Sequence, residues 1–317
     1  MATEAEIREA AERIAPYIRR TPAVRVERAA FGLTVDVTLK LEHLQHTGSF
    51  KPRGAFNRLL SASVPTSGVI AASGGNHGLA VAYSARELGV VAEVFVPEIA
   101  SPVKVERLRG YGAVVTQIGS RYSEALAASQ LRAAVTGALV VHAYDMPEVH
   151  AGQGTVGLEL DEQARGIDTR GIDTVVVAVG GGGLLAGIAS WFMGRVAIVA
   201  VEPKSIPTLS AALDAGHPVD VDVSGIAADS LGATRISAAA LEIAQKAGVR
   251  SVLVDDADIV TARQRLWDEL RLAVEPGGAA ALAALMSSAY VPEPGENVAV
   301  IVCGANTDPG DLTRRTH

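Results

Sequence analysis

Lys51 stands in the run Gly48-Ser49-Phe50-Lys51-Pro52-Arg53-Gly54, and the only other lysines are Lys40, Lys104, Lys204 and Lys246. A surface lysine ordinarily sits among polar residues on a helix face, whereas this one lies between a Gly-Ser pair and a Pro-Arg-Gly run. Burying an amine beside an aromatic ring disfavours its charged form, so its pKa falls and it becomes a nucleophile toward carbonyls. The competing structural reading is a lysine that merely precedes a helix opened by Pro52, since proline suits the first helical position.

A second group with chemical potential follows the apolar run Val175-Val176-Val177-Ala178-Val179, which leads into Gly180-Gly181-Gly182-Gly183 and an apolar helix starting near Leu184. Consecutive glycines let the backbone approach a ligand with its N–H groups turned inward. The helix N-terminus adds partial positive charge, so a phosphate is the expected guest. A dinucleotide fingerprint would space its glycines as G-x-G-x-x-G, with an acidic residue about 20 positions further on. Glu202 lies at about that separation, which keeps a nicotinamide-dependent oxidoreductase as an alternative of a different class.

Ser73-Gly74-Gly75-Asn76-His77-Gly78 follows the short apolar run Val69 to Ala72 and opens another helix. Its hydroxyl, amide and imidazole groups, with the loop N–H groups, suit a carboxylate. Taken alone, the loop reads as an Asn76 N-cap with His77 as a packing residue. Its place at the carboxyl end of a strand favours ligand binding, because open parallel sheets bind ligands there. Cys303 ends the run Val298 to Val302 and precedes Gly304-Ala305-Asn306. A thiol there is expected to be buried and uncharged, able to act only as a weak hydrogen-bond partner.

These groups need a scaffold. Short β-branched runs alternate with Ala-rich segments of helical period, the pattern of βα units building parallel sheets. One series has strands predicted at Val69–Ala72, Val91–Val96, Ala113–Ile118 and Leu139–His142, with helices near Leu79–Leu88, Val103–Arg109 and Ser123–Val135. A second begins after Gly152, with strands at Thr174–Val179, Ala197–Val201, Ser251–Val254 and Val298–Val302. Its helices are predicted near Leu184–Met193, Ser237–Ala247 and Ala257–Leu272. Asp214 to Asp222 reads as a long loop, and Gly166 to Gly171 as a short polar connection.

A chain of 317 residues, 49% of them hydrophobic, can bury a sizeable core and fits two domains better than one. The net charge of −7, with arginines scattered rather than clustered, argues against a nucleic-acid partner. A single cysteine rules out an intramolecular disulfide and suits a cytoplasmic setting. The first residues lack the apolar core of a secretory signal, and no apolar run reaches the roughly 18 residues of a membrane span, so no membrane association is expected.

Together and in this order, Ser-Phe-Lys-Pro-Arg-Gly-Ala, SGGNHG, GGGGL and the terminal Cys-Gly-Ala-Asn resemble the fold type II pyridoxal phosphate enzymes, specifically the threonine/serine dehydratase and serine racemase group. The likeness spans nearly the whole chain. It implies an α/β fold of two domains, each a mostly parallel sheet flanked by helices. Residues 1–47 plus 152–317 would form a large cofactor-binding domain and 48–151 a smaller inserted one. The resemblance gives Lys51 the Schiff base with the cofactor aldehyde, and Phe50 a place against the pyridine ring. It assigns the cofactor 3'-hydroxyl to Asn76, the phosphate to Gly180, Gly181, Gly182, Gly183 and Leu184, and the pyridine nitrogen to Cys303. The substrate carboxylate would sit in the loop formed by Ser73, Gly74, Gly75, Asn76 and His77, with Ser73 and Lys51 serving the chemistry.

The implied reaction is Cα deprotonation and β-elimination of water from L-threonine or L-serine, giving 2-oxobutanoate or pyruvate and ammonia. Homodimers are common in this group. Gly74 occupies the position of the second acid/base serine of serine racemases, which disfavours racemisation. Glu202-Pro203 matches a glutamate that binds a monovalent or divalent cation in relatives, while the acidic residue expected six positions later is Thr208. Sulfhydrylases that make cysteine carry a different lysine motif and a Thr-rich substrate loop. The end at His317 leaves no room for the regulatory domain of isoleucine-inhibited dehydratases, which favours the catabolic or generalist form. A non-catalytic ligand sensor is a third class of reading, against which Lys51, Asn76 and Cys303 all stand intact.

Overall fold

The computed structural model describes residues 1–168 and 170–313. Helix α1 (Glu4–Ile14) is started by a capping box: Thr3 Oγ1 accepts the Glu6 N–H while the Glu6 carboxylate accepts the Thr3 N–H. Strand β1 (Ala23–Val26), helix α2 (Arg28–Phe31) and strand β2 (Val37–Lys40) follow, then two 3-10 turns and helix α3 (Lys51–Leu60). The next stretch alternates: β3 (Val69–Ala72), α4 (Asn76–Glu87), β4 (Ala92–Val96), α5 (Pro102–Gly110), β5 (Val114–Gln117), α6 (Tyr122–Thr136) and β6 (Leu139–Val140). The long α7 (Pro147–Ile167) leads to β7 (Thr174–Ala178), α8 (Gly183–Phe192), β8 (Ala197–Pro203), α9 (Thr208–Ala215), α10 (Ala228–Leu231) and α11 (Ala238–Lys246). The remainder is β9 (Arg250–Val254), α12 (Asp256–Leu270), α13 (Pro276–Met286), β10 (Val298–Ile301) and α14 (Gly310–Thr313).

Two sheets result. One has four parallel strands in the order β5-β4-β3-β6. The other has six, in the order β1-β2-β10-β7-β8-β9, parallel except where β1 pairs antiparallel with β2. Strands β7 and β10 are buried throughout, as strands covered by helices on both faces must be, which is why they read as unbroken apolar runs. The α/β character with mostly parallel sheets agrees with the sequence. The boundary expected after Ala151 falls inside α7, which runs unbroken from 147 to 167.

Three departures are local. Strand β6 stops at Val140, two residues short of its predicted end, although the Val141 N–H still donates to the Ile70 carbonyl of β3 at 3.0 Å. Helix α7 has no counterpart among the predicted helices, and Gly152, Gly154 and Gly157 lie in its interior. In the fold these glycines permit close approach: a Cβ on Gly152 would lie 2.5 Å from the Arg53 carbonyl oxygen of α3. Strand β2 was hidden by Lys40, a charged residue that is nonetheless fully buried. The Asp214–Asp222 loop begins only after α9 ends at Ala215. Of the Gly166–Gly171 connection, Thr169 lies outside the described residues, as do the last four residues of the chain, up to His317.

Lys40 is buried because it belongs to an ion cluster centred on Arg53, two residues after Lys51. The Arg53 guanidinium donates to both oxygens of Glu42, each at 2.8 Å, to both oxygens of Glu159, also at 2.8 Å, and to Thr155 Oγ1 at 3.1 Å. Lys40 Nζ donates to Glu159 at 2.7 Å and to the Thr21 carbonyl at 2.7 Å, while the Thr21 hydroxyl donates to Glu42. Two cations meet two anions in a fully buried setting, which joins β2, the turn after it, α3 and α7. Removing one partner from such a cluster strands a buried charge, at a cost of about 3–5 kcal/mol. Arg53→Met is therefore expected to lower stability by about that amount in chemical denaturation. Lys246→Ala, at the exposed Lys246–Glu242 pair, should leave the midpoint unmoved.

Candidate active site

Lys51 opens α3, and the backbone before it is tied to the end of β10. The Phe50 N–H donates to the Cys303 carbonyl at 3.1 Å, and Ser49 forms an isolated antiparallel bridge with Gly304. With Arg53 anchored on the other side, the Lys51 backbone is held from both directions. Its Nζ donates to the Ala143 carbonyl at 2.9 Å and lies 5.1 Å from the Phe50 ring centroid. Desolvation lowers its pKa to about 8, against a smaller upward pull from the Glu275 carboxyl. About a tenth of this amine is thus uncharged at pH 7, far more than for an ordinary lysine.

The glycine loop forms the adjoining wall. Gly182 has φ +90, in the left-handed region that favours glycine, and directly precedes α8. A Cβ on Gly181 would lie 2.3 Å from the Tyr144 ring, so the loop backbone and that ring are in direct contact. The N-terminus of α8 and the unsubstituted backbone before it leave N–H groups without intrahelical partners, the arrangement that suits a phosphate. Phe50, Lys51, Asn76, Leu184 and Cys303 line the same cavity as the four glycines.

Cys303 donates its S–H to the Gly277 carbonyl at 3.3 Å, and burial pushes the thiol far above its usual range, with Glu275 adding to the effect. It is a neutral group, as expected. Asn76 is the first residue of α4 and does not cap it: Gly75 holds the cap position, and the Asn76 amide Nδ2 instead donates to Glu275 Oε1 at 2.7 Å. Ser73 Oγ accepts the Gly75 N–H at 3.2 Å, which folds the loop over the start of α4. The His77 ring is buried with Nε2 against the Val141 carbonyl at 2.8 Å, and burial lowers its pKa to about 3, helped by Lys51. Its imidazole is a neutral packing group, so the carboxylate-binding potential of this loop rests on backbone N–H groups, Ser73 and Asn76.

Glu202 has partners unlike those of a cation or ribose ligand. Its oxygens accept from Thr208 Oγ1 at 2.9 Å, the Leu209 N–H at 2.7 Å and the Ser210 N–H at 2.9 Å, so the carboxylate caps α9. Thr208, where a second acid was expected, is one of those partners. Burial still raises Glu202 to about pH 7 against these hydrogen bonds. Among the described residues there is no group of three or more His, Cys, Asp or Glu arranged to hold a metal. No helix among them is long and apolar enough to cross a membrane.

The cavity also contains residues not singled out from the sequence. Glu275, at the N-cap of α13, is buried with its carboxyl raised to about pH 7, chiefly by desolvation. Ser230 accepts the Gly277 N–H, and Tyr144 covers the glycine loop. Tyr144 carried a usable signal, because it lies in the loop just after a parallel strand.

This fold and cavity place the chain in a family. It belongs to the pyridoxal-phosphate dependent enzymes, whose family profile matches residues 14–304. Among curated proteins, it is 37% identical to L-threonine ammonia-lyase of Geobacter sulfurreducens over 95% of this chain and 75% of that one. It spans 56% of the length of the biosynthetic L-threonine dehydratases it also matches. Among solved structures, maize serine racemase superposes with a TM-score of 0.90 at 32% identity, covering 98% of this chain and 95% of that one. The threonine deaminase of T.th. gives the same score of 0.90 at 34% identity, covering 96% of this chain and 99% of that one.

The Lys51 environment makes a direct prediction. In apoprotein labelled competitively with a limiting amine-acylating reagent across pH, Lys51 reactivity should rise with a midpoint near 8. Lys204, whose ammonium Asp255 holds charged, should respond only at far higher pH. A Lys51 midpoint at the ordinary lysine value of 10.5 would contradict the site described.

Proposed function

We propose that this chain is a pyridoxal-phosphate-dependent ammonia-lyase that converts L-threonine, L-serine or both to 2-oxobutanoate or pyruvate and ammonia. The observation that carries the reading is a desolvated amine, Lys51, set among a glycine phosphate cradle, a neutral thiol and a polar loop suited to a carboxylate. The names of the relatives support the same chemistry.

The residues present fit the cofactor. Gly180 to Gly183, with Leu184, would take its phosphate at the start of α8, Phe50 would pack on its ring, and Asn76 would bond its 3'-hydroxyl. Cys303 would face the ring nitrogen as a neutral group, and Lys51 would hold the aldehyde carbon. Pyridoxal phosphate, when bound, supplies an electron sink for negative charge developing at Cα. A neutral thiol at the nitrogen weakens that sink relative to a carboxylate, which favours prompt loss of a β-substituent over a long-lived carbanion.

Lys51, the amine that would hold the cofactor, would also serve as the base at Cα. Its pKa, lowered to about 8, lies near the working pH, the condition an effective general base requires. The Ser73–Asn76 loop holds the substrate carboxylate with backbone N–H groups and the Ser73 hydroxyl. Lys51 would take the Cα proton and pass it to the β-hydroxyl, which leaves as water. The released enamine is hydrolysed to the 2-oxo acid and ammonia. A cytoplasmic homodimer is part of the same proposal, on the strength of the family resemblance and the lone buried cysteine.

The serine racemase likeness calls for a test at Gly74. A Cβ there would meet only Val96 Cγ1 at 3.5 Å and Val96 Cβ and Lys104 Cδ at 4.0 Å, ordinary contacts, so a serine fits. Steady-state assays over several β-hydroxy amino acids in both chiral forms are expected to give 2-oxo acid from L-threonine or L-serine, with no detectable racemisation. Gly74→Ser should add measurable racemisation of serine. Turnover by Lys51→Ala comparable to the parent, or no 2-oxo acid from any of these substrates, would overturn the reading.

A further inference from the structure

The amide of Asn76 is held at both ends. Its Nδ2 donates to Glu275 Oε1 at 2.7 Å, and its Oδ1 accepts from Asn306 Nδ2. Asn306 cannot reverse its own amide without loss, because its Nδ2 also donates to the Thr47 carbonyl at 2.8 Å while its Oδ1 accepts from Arg107. The order of donors therefore runs one way, from Arg107 through Asn306 and Asn76 to Glu275. Glu275 and Asn306 belong to the six-stranded side of the molecule, Asn76 and Arg107 to the helices of the four-stranded sheet, so the chain of bonds crosses the cleft.

Glu275 is an expensive group to keep here. It is 5% exposed, and its other donor is the Asn306 backbone N–H. The charged or titratable groups facing it are Lys51, Cys303, Asp229 and Arg263, none of which forms a hydrogen-bonded ion pair with it. A buried carboxyl whose side-chain partner is a single asparagine amide is poorly explained by stability alone, since an uncompensated acid in such a place costs free energy.

We propose that Glu275 is a positioning residue: by accepting one Asn76 N–H it fixes the amide so that the second N–H points at the 3'-oxygen of the bound cofactor. The inference rests on the function proposed above. Without the acceptor, the Asn76 amide can turn, and its carbonyl then meets an electron-rich oxygen instead of an N–H. Glutamine at 275 keeps an oxygen in place and preserves the aim; leucine fills similar volume with no acceptor.

The test is cofactor affinity of the apoprotein, followed by fluorescence titration with pyridoxal phosphate, together with the visible absorption maximum of the reconstituted protein. Glu275→Leu is expected to weaken binding about tenfold, the worth of one hydrogen bond to a polar partner, and to shift the band. Glu275→Gln should stay within about twofold of the parent, with the band unmoved. Asn76→Ala combined with Glu275→Leu should bind no worse than Asn76→Ala alone, because both remove the same contact. Parental affinity in Glu275→Leu, or losses that add in full, would overturn the inference. If Glu275→Leu does not accumulate as folded protein, Glu275→Asp, which withdraws the oxygen by one methylene, replaces it under the same criteria. A parent protein that binds no pyridoxal phosphate would instead sink the functional proposal, so the two failures are distinguishable.

Discussion

The site depends on a fully buried guanidinium. Arg53 makes five hydrogen bonds to Glu42, Glu159 and Thr155 that no water can replace, and these partners lie on segments far apart in sequence. Two residues earlier in the same chain is the amine that shares a cavity with the start of α8 and the end of β10. Because α3 cannot slide or rotate without stranding a charge, the Lys51 backbone is fixed relative to both. The cluster is weak evidence of stabilisation, since burying four charges costs much of what their pairing returns. It fixes geometry instead, and reactive groups need that most.

The electrostatics of the cleft follow from that placement. Lys51 is desolvated enough to be partly uncharged, yet the Glu275 carboxyl keeps it from falling further. Cys303 stays neutral because burial and the nearby carboxyl both oppose a thiolate. The cleft thus combines an available amine, a neutral thiol and a region of backbone N–H groups, with no side-chain base at Gly74 itself. That combination suits removal of a proton from Cα by one residue and expulsion of a β-substituent more than it suits a two-base exchange.

Much of the site was legible because its chemistry is written in backbone punctuation. Gly180 to Gly183 after an apolar run, Pro52 after Lys51, and Ser73-Gly74-Gly75 after a short strand each mark a loop at a strand end or a helix start, and the fold brings Lys51, Asn76 and the glycines around one cavity. Glu275 was not legible: it stands before a proline and reads as an ordinary N-cap, and its functional partner lies 199 residues away. His77 and Glu202 illustrate the converse. Both residue types suggest ligand chemistry, but burial against Val141 and the start of α9 gives them structural partners that no local pattern reveals. Strand β2 and helix α7 likewise depend on distant partners: Lys40 on Glu159, and Gly152, Gly154 and Gly157 on close contacts with Arg53, Ile7 and Trp191.

Which amine carries the cofactor is the deciding question. Protein purified with pyridoxal phosphate, reduced with borohydride and digested, can be mapped by peptide mass spectrometry. The reduced cofactor is expected on the peptide containing Lys51, with loss of the visible absorption band. Cofactor fixed on Lys40, Lys104, Lys204 or Lys246, or none fixed at all, would contradict that assignment.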